Sequence, residues 1–587
     1  MKLIKTSIDL DNQKDSSASV LLGTWCIKKK IDLLDQVNKY KIVPYHWNNN
    51  KKFKNDSDYL ENLHERILLE LSNSLNNLHG IKRNTRYWRI VIGPWLRFFT
   101  DVLFDRYETI KQSQRYKKLD YTIHKYNESD IIPEDFSEFF DYIVSDKWNE
   151  IIFSECIKYL DINYINIDSS IIFDTKKNNK KNINLKGIFK KILRLYQSII
   201  PNHFNKIAII STNISLIKLL KLQLLLKQLP YIIPPLIDYK IKEVDFSIRD
   251  SLNLSFSRNK FESFLSNQIT KNMPKIYLES FKEYRDKSLK KYPSNPSLIY
   301  TLFGYQLEDG FKFWCAEKLF LGTKLIIGQH GGTFGISYFN QTEDHQVSIA
   351  NKFISWGWKS KLYKNITPMP SINLNGNDVM SISQRNQGPF IHVLGCVPRY
   401  FYNFFSMPIA GQFSNYLKDQ INFLNELNNG NLKKLKIRED VSSIKWGWNI
   451  EGVLKKNGFS DNIINSNISI QNQLKGSSLC ICTHNGTVFL ETLALNFPTI
   501  IFWNSSYYEI RPEAIDSIEM LKDVGILYDC PKLAAKKINN ISDDVSSWWQ
   551  EERIQNARSL FVRKYALNSD NSLNYLKEFL TKEANVE

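Results

Sequence analysis

The sequence predicts an α/β protein built on parallel sheet, and three observations carry that reading. Over the last two hundred residues, short apolar runs alternate with helix-length segments, as a parallel sheet wound on both faces requires. A similar regularity begins near residue 297, so both halves of the chain read as α/β. Apolar runs also break at glycine or small polar residues and lead into helical segments, first at Leu22-Gly23-Thr24-Trp25-Cys26. A chain of 587 residues accommodates about three or four domain-sized units, or two large ones.

Taken in order, Ser19 to Trp25 is the first strand candidate. Leu60, Leu63, Ile67, Leu68, Leu71, Leu75 and Leu78 recur at spacings of three and four, which predicts a helix over 58–79. A second helix follows Pro94, and 135–160 reads as more helix. The interval 175–237 contains no acidic residue. It opens on a polar loop (176–182), continues through a basic amphipathic segment (188–200), a strand (207–211) and a Leu-rich helix (216–229), and stops at prolines 230, 234 and 235. Strands are expected at 298–303 and 324–328 and a helix at 309–321; the segment 352–358 follows without an assigned element, and then a loop over 362–388. Further strands are expected at 390–394, 434–437, 479–482, 499–502 and 526–528. Helices at 411–428, 449–457, 487–495, 512–523 and 531–538 lie between or beside them. The last helix is expected at about 548–566.

Composition excludes several classes. With 43% hydrophobic and 13% aromatic residues the chain has ample surface to bury and is not disordered. Its 23 glycines and 18 prolines exclude collagen-like and low-complexity classes, and seven cysteines are too few for a disulfide scaffold. The first twenty residues carry Asp9, Asp11 and Asp15 and lack the apolar core of a secretory signal. No run reaches membrane-spanning length, so a cytoplasmic location is expected. Lys plus Arg number 78 against 61 acidic residues, a net charge of +17. That excess suits nucleic acid, a membrane face or an anionic small molecule. Nucleic acid is disfavoured, because the basic interval alternates with long aliphatics and holds no recognised binding module. A basic amphipathic face suits an anionic bilayer better, and a merely solvated face serves equally.

The strongest site candidate is Cys482-Thr483-His484-Asn485-Gly486-Thr487, with Glu491 one turn into the helix that follows. A strand ends, the chain turns, and a helix N-terminus presents unpaired N–H groups to an anion such as a nucleotide phosphate. Gly486 permits close approach, Thr487 can donate its hydroxyl, and Glu491 can accept from a ribose. The bland alternative is that Thr483 or Asn485 only caps the helix. The second candidate is Gly328-Gln329-His330-Gly331-Gly332-Thr333, also after a strand. His330 among glycines can act as a base or face an anion, against the alternative of a structural His in a glycine-rich hairpin. Glu343 and His345 lie just downstream, as neighbours of His330 or in a solvated loop. Arg438 ends a strand and can hold a phosphate or carboxylate. Near the N-terminus, Gly23, Thr24, Trp25, His46 and Arg89 lie in Trp-rich segments that suit sugar rings or bases, or simply pack. Cys480 and Cys482 face the same side of one strand but lack the further ligands zinc needs. No Asp-x-Asp element sits at a strand end, so no metal site is expected.

Several segments taken together resemble bacterial putative transferases of O-antigen and other surface-polysaccharide loci. They are Leu22–Cys26, Tyr45-His46-Trp47, Tyr87-Trp88-Arg89 through Leu96, Gly328-Gln329-His330-Gly331-Gly332, Trp356-Gly357-Trp358, Thr483–Thr487 with Glu491, and Trp548-Trp549 with Gln555 and Phe561. The wider similarity is to GT-B glycosyltransferases. It implies two facing Rossmann-like domains, 1–385 on the acceptor side and 386–587 binding the nucleotide-sugar; the large helical N-terminal elaboration, an insertion at about 97–290, departs from simple GT-B enzymes and takes no role from the resemblance. The Gln-His-Gly element also resembles capsule synthases and transferases of CMP-linked ulosonic acids. The implied function is metal-independent sugar transfer from a nucleotide donor to a growing polysaccharide or lipopolysaccharide, by a lipopolysaccharide-locus enzyme peripheral to the inner face of the plasma membrane. The nucleotide-sugar is a substrate, the acceptor is a saccharide or lipid-linked saccharide, and no cofactor is implied. Thr483, His484, Asn485, Gly486, Thr487, Glu491 and Arg438 are expected at the donor. His330, Glu343 and His345 are expected at the chemistry, and Gly23, Thr24, Trp25, His46, Arg89, Gln329, Gly331 and Gly332 at the acceptor. The alternatives are transfer of a polyol phosphate from a CDP carrier, or a non-catalytic polysaccharide assembly protein.

Overall fold

The computed structural model describes residues 1–11, 19–28, 30, 32–116, 118–173, 196, 206–231, 237–252, 254–374 and 388–585. The expected polar loop at 176–182 and nearly all of the basic segment at 188–200 lie outside these residues.

Two five-stranded parallel sheets form the frame. The first has the order β10-β9-β8-β7-β6, built from β6 (Ile207–Ile209), β7 (Leu298–Thr301), β8 (Lys324–Gly328), β9 (Lys352–Ser355) and β10 (Ile366–Pro368). The second has the order β12-β11-β13-β14-β15, built from β11 (Phe390–Val393), β12 (Leu435–Arg438), β13 (Leu479–Cys482), β14 (Thr499–Phe502) and β15 (Leu527–Tyr528). Every pairing in both is parallel. In the second sheet the chain starts at β11, steps out to β12, then returns to β13 on the other side. Such a reversal opens a crevice beyond the carboxyl ends of the two central strands, where ligands of open α/β sheets bind. β13 and β14 are buried along their whole length, as their unbroken apolar runs require of strands covered on both faces.

The N-terminal part carries a smaller parallel sheet, β1 (Lys2–Ile4), β2 (Ser19–Leu21) and β3 (Lys41–Ile42). A bridge from Lys2 to Asp120 links it to the parallel pair β4 (Tyr121–Tyr126) and β5 (Tyr164–Ile171). Long helices lie between this sheet and β6. The helix Asn50–His79 starts eight residues before the expected position 58, because Asn49 accepts a hydrogen bond from the Lys52 N–H and caps an otherwise polar first turn. It stops at Gly80, whose φ of 63° is the left-handed conformation that ends helices. Pro94 opens the helix Gly93–Ser113, which is buried through most of its length. The expected helix over 135–160 is two helices, Phe136–Ile143 and Asp146–Tyr159, the second capped by Ser145.

Several expectations are corrected. The first strand stops at Leu21, and Thr24–Cys26 is a 3₁₀ turn. The expected loop at 362–388 contains β10, an edge strand pairing only with β9 and too short to show periodicity. The run containing Glu343 and His345 is a helix, Gln341–Ile349, capped by Asn340. The segment at 548–566 is two helices, Val545–Gln550 and Glu552–Tyr565, and a further helix, Ser572–Asn585, follows it.

That closing helix packs on the first sheet rather than the second. Leu576 and Leu580 join Ile207, Ile209, Leu298, Tyr300, Ile326 and Ile354 in one apolar cluster. These strand residues alternate along their strands and so cover one face of the sheet. The Leu-rich helix, observed at Leu216–Leu225, covers the same face through Leu219 and Leu222. Among the described residues no helix is long and apolar enough to cross a membrane.

Candidate functional site

The turns after β8 and β13 touch. Gln329, 2% exposed, sets the first of them. Its Oε1 accepts from the Trp356 backbone N–H at 2.9 Å and from Trp358 Nε1–H at 2.8 Å. Its Nε2 donates to the Gly331 carbonyl at 2.9 Å. These bonds give the Trp356-Gly357-Trp358 motif and Gln329 one scaffolding role: they hold the glycine turn against its own sheet. Gly332 then donates its N–H to Thr487 Oγ1 at 2.9 Å, and a Cβ at Gly332 would lie 2.1 Å from the Gly486 carbonyl oxygen. Only glycine permits that approach.

The second turn is held as firmly. Thr483, 1% exposed, donates to the Val393 carbonyl at 2.9 Å and lies 2.6 Å from the Tyr416 hydroxyl, which also accepts from the Gly395 N–H. Asn485 donates to Ser337 Oγ at 2.9 Å, and its own Oδ1 is buried without a partner. Thr483 and Asn485 therefore position the turn, and neither caps the helix Thr487–Ala494, which has no side-chain cap. His484 lies between Gly395 and Gly486, and its Nδ1 has no partner. Burial lowers its pKa. His330 packs edge-on to Phe303 and Phe334, its Nδ1 likewise unpartnered, and burial lowers its pKa to about 4. Both imidazoles are neutral at pH 7, so each can accept or donate a hydrogen bond but neither supplies a cation.

Arg438 and Glu491 engage one neighbouring segment. Arg438 Nη1 donates to Gln473 Oε1 at 2.7 Å and to the Ile468 carbonyl at 2.5 Å. Glu491 Oε2 accepts from Gln471 Nε2 at 3.1 Å, and burial pushes its carboxyl up to about 7.

Glu343, His345 and Arg89 line a separate hollow, a cavity of about 390 Å³ among the helix Asn50–His79, the segment 89–98, the helix Gln341–Ile349 and residues 511–513. Arg89 makes a two-pronged pair with Glu65. His345 Nε2 and His64 Nδ1 are buried there without partners, and burial lowers the pKa of both rings, that of His345 to about 3. Glu343 is fully buried; its Oε2 accepts from the Gly335 N–H at 2.8 Å and its Oε1 pairs with Arg511 at 2.9 Å. Arg511 Nε donates to the Ser337 carbonyl at 3.1 Å, and the hydroxyl of Ser337 is the one Asn485 reaches. A continuous polar chain thus joins the cavity wall to the turn after β13. Sequence reasoning missed Arg511 and Ser337, because neither sits in a distinctive local pattern, and His64, which its helix disguises as one more position of the apolar stripe.

The N-terminal candidates lie elsewhere. Thr24 Oγ1 donates to the Gly411 carbonyl at 3.0 Å, Trp25 Nε1 donates to the Lys5 carbonyl at 3.1 Å, and the Trp25 ring lies against Gly23. The Trp25 carbonyl accepts from Arg399, which also pairs with Asp146 at 2.6 Å. His46, 6% exposed, bonds Asp105 at 3.0 Å. None of the four lines the cavity. They form an internal clamp between the small N-terminal sheet and the segment after β11. The same region holds the single cluster among the described residues suited to a metal ion, Asp9, His124 and Glu150. Its cation position is taken: Lys5 Nζ lies 3.0 Å from Asp9 and 2.6 Å from Glu150. Cys480 and Cys482 are buried with their sulfurs 3.7 Å apart, side by side on β13.

Two parallel sheets, with the turns at their carboxyl edges in contact and a polar cavity linked to one of them, make this a mixed α/β protein whose polar groups gather at sheet edges. The chain belongs to the LIC12162 family of transferases, whose family model matches residues 1–580. It is therefore an enzyme that acts on a donor and an acceptor. No curated protein matches the chain.

Proposed function

We propose that the protein is a GT-B-type glycosyltransferase that moves a sugar from a nucleotide donor to a saccharide or lipid-linked saccharide acceptor of a surface polysaccharide or lipopolysaccharide. The observation that carries this reading is the direct contact of the Gly331-Gly332 turn after β8 with the Gly486-Thr487 turn after β13. One residue pair thereby joins the carboxyl edges of two parallel sheets, and the second edge is the one that holds the chain reversal.

In this reading the donor phosphate lies at the start of the helix Thr487–Ala494, where free N–H groups favour an anion. The Thr487 hydroxyl accepts from the Gly332 N–H and keeps its own proton to donate to a phosphate there, so the junction and the donor share this residue. Glu491 accepts from the ribose, and Arg438 steadies the departing phosphate with its charge. His484, being neutral, contributes a hydrogen bond rather than a charge. His330, neutral as well, is suited to take the proton of an acceptor hydroxyl. The bond from the sugar carbon to the phosphate oxygen breaks, and the acceptor oxygen takes its place. The exposed Ile217 and Leu224, on a helix that also carries Lys218 and Lys221, support placement beside an anionic membrane face.

A thermal-shift series with CMP, UDP, GDP and CDP tests the donor site, since a ligand that binds only the folded state raises its melting temperature. A rise with one nucleotide is expected, and no rise with any of the four would refute the reading. Transfer is expected to survive EDTA; complete loss restored by Mg²⁺ would overturn the role given to Arg438. A phosphodiester in the product would assign polyol-phosphate transfer instead.

A further inference from the structure

The cavity beside the helix Gln341–Ile349 has a charge pattern that the donor site does not explain. Each of its three arginines already has a carboxylate: Arg89 has Glu65, Arg97 has Asp101 and Arg511 has Glu343. Asp58, Glu61, Asp344 and Glu513 also line it, and among the described residues no ion pair engages any of the four. The hollow is therefore rich in hydrogen-bond acceptors that lack donors, and its fixed cations are spent.

Two imidazoles strengthen the pattern. His64 is 5% exposed, lines the cavity and leaves Nδ1 unpartnered; Nε2 of His345 is equally bare. A buried polar atom without a partner costs free energy that a ligand group can recover. Tyr305, Tyr338 and Tyr363 add aromatic surface. At about 390 Å³ the space falls at the small end of the range for ligand pockets, about 300–1,000 Å³.

We infer that this cavity is a subsite for a distal sugar of the acceptor, away from the reacting hydroxyl, and that its ligand is a saccharide unit carrying hydroxyl or amino groups and no negative charge. Hydroxyls and ammonium groups are donors, which is what the bare carboxylates and imidazoles need. A phosphate or carboxylate would meet Asp58, Glu61, Asp344 and Glu513, and every arginine that lines the cavity is already paired. The Asp344 carboxylate accepts no hydrogen bond from the described residues. Burial and the neighbouring Glu343 and Glu61 push its carboxyl up to about 7, so a donor beside it would restore the ionised form. The polar chain Glu343–Arg511–Ser337–Asn485 gives the occupied cavity a route to the turn after β13. The word acceptor rests on the glycosyltransferase reading; the ligand class rests on the cavity.

The test is hydrogen exchange read by mass spectrometry on the full chain, with glucosamine, N-acetylglucosamine, glucose 6-phosphate and CMP as separate probes. Glucosamine and N-acetylglucosamine are expected to slow exchange in peptides covering 57–65 and 338–348 by about threefold, with no effect from glucose 6-phosphate. In Glu61→Lys, a change at an exposed position, glucosamine protection should be lost while the melting temperature holds. Protection of these peptides by glucose 6-phosphate or CMP as strong as that by glucosamine would overturn the inference. So would a lack of protection by both uncharged and amino sugars. The CMP arm separates the two claims: a nucleotide that protects 483–491 bears on the donor site alone.

Discussion

Gly332→Ala places one methyl group where the two turns meet. A Cβ there would lie 2.1 Å from the Gly486 carbonyl oxygen, 2.3 Å from its carbon and 2.8 Å from the Thr487 nitrogen. Ordinary contacts between non-bonded atoms lie at about 3.5–4.0 Å, so the turns must separate by about 1 Å or more. That movement takes the 2.9 Å hydrogen bond from Gly332 to Thr487 beyond its useful range. The overpacking costs about 1–3 kcal/mol and the stranded N–H about as much again. If the junction aligns donor and acceptor, a 1 Å displacement lowers turnover by about 100-fold. Gly331→Ala is the internal control, because its Cβ would sit 3.4 Å from Thr487 Oγ1, an ordinary contact. Neither glycine has a positive φ, so backbone strain does not enter the comparison. The assay is thermal melting together with amide exchange over 330–335 and 485–488. Gly332→Ala should melt lower and exchange faster in both turns, whereas Gly331→Ala should resemble the parent. Identical behaviour of the two variants would refute the junction.

Three further outcomes follow from the charges. Arg511→Met leaves Glu343 buried with only the Gly335 N–H, and should cost about 3 kcal/mol in chemical denaturation; a loss below about 1 kcal/mol would mean the pair contributes little. Lys5→Met leaves Asp9 and Glu150 facing each other without their shared cation, and should destabilise by about 3–5 kcal/mol, read by the same method. Asp344 has a folded-state pKa of about 7, above its ordinary value, so its contribution to stability is full below about pH 4 and is lost as pH rises towards 7. Asp344→Asn stays neutral throughout, so its melting temperature should match the parent at pH 4 and exceed it at pH 8; a constant difference across that range would contradict the shift.

Legibility in the sequence followed physical range. β8 and β13 were readable to the residue, since a parallel strand buried over all or nearly all of its length reads as a short apolar run. The helices Pro512–Asp523 and Pro531–Ile541 were readable because proline marks a first turn. β1, β3 and β10 were not, because two or three residues show no period and their pairing comes from strands far along the chain. The helix Gln341–Ile349 was hidden because its polar face lines a cavity instead of solvent, which blurs the apolar stripe. The closing helix Ser572–Asn585 escaped notice because it crosses back to the first sheet, an assignment that contacts decide and local pattern does not.

The two glycine turns, their place after buried strands, and their suitability for ligand approach belong to the sequence alone, because strand burial and turn chemistry act over a few neighbouring residues. Tertiary structure decided the rest. It brought Gly332 onto Gly486, spent Gln329 and Thr483 on scaffolding, and drew Thr24, Trp25 and His46 into a clamp. It also gathered His64, Asp344 and His345 around one hollow beside the Glu343–Arg511 pair. Those placements depend on how distant surfaces pack and desolvate one another. A histidine read in sequence is a titrating base; read in its packed surroundings, as at His330 and His484, it is neutral at pH 7.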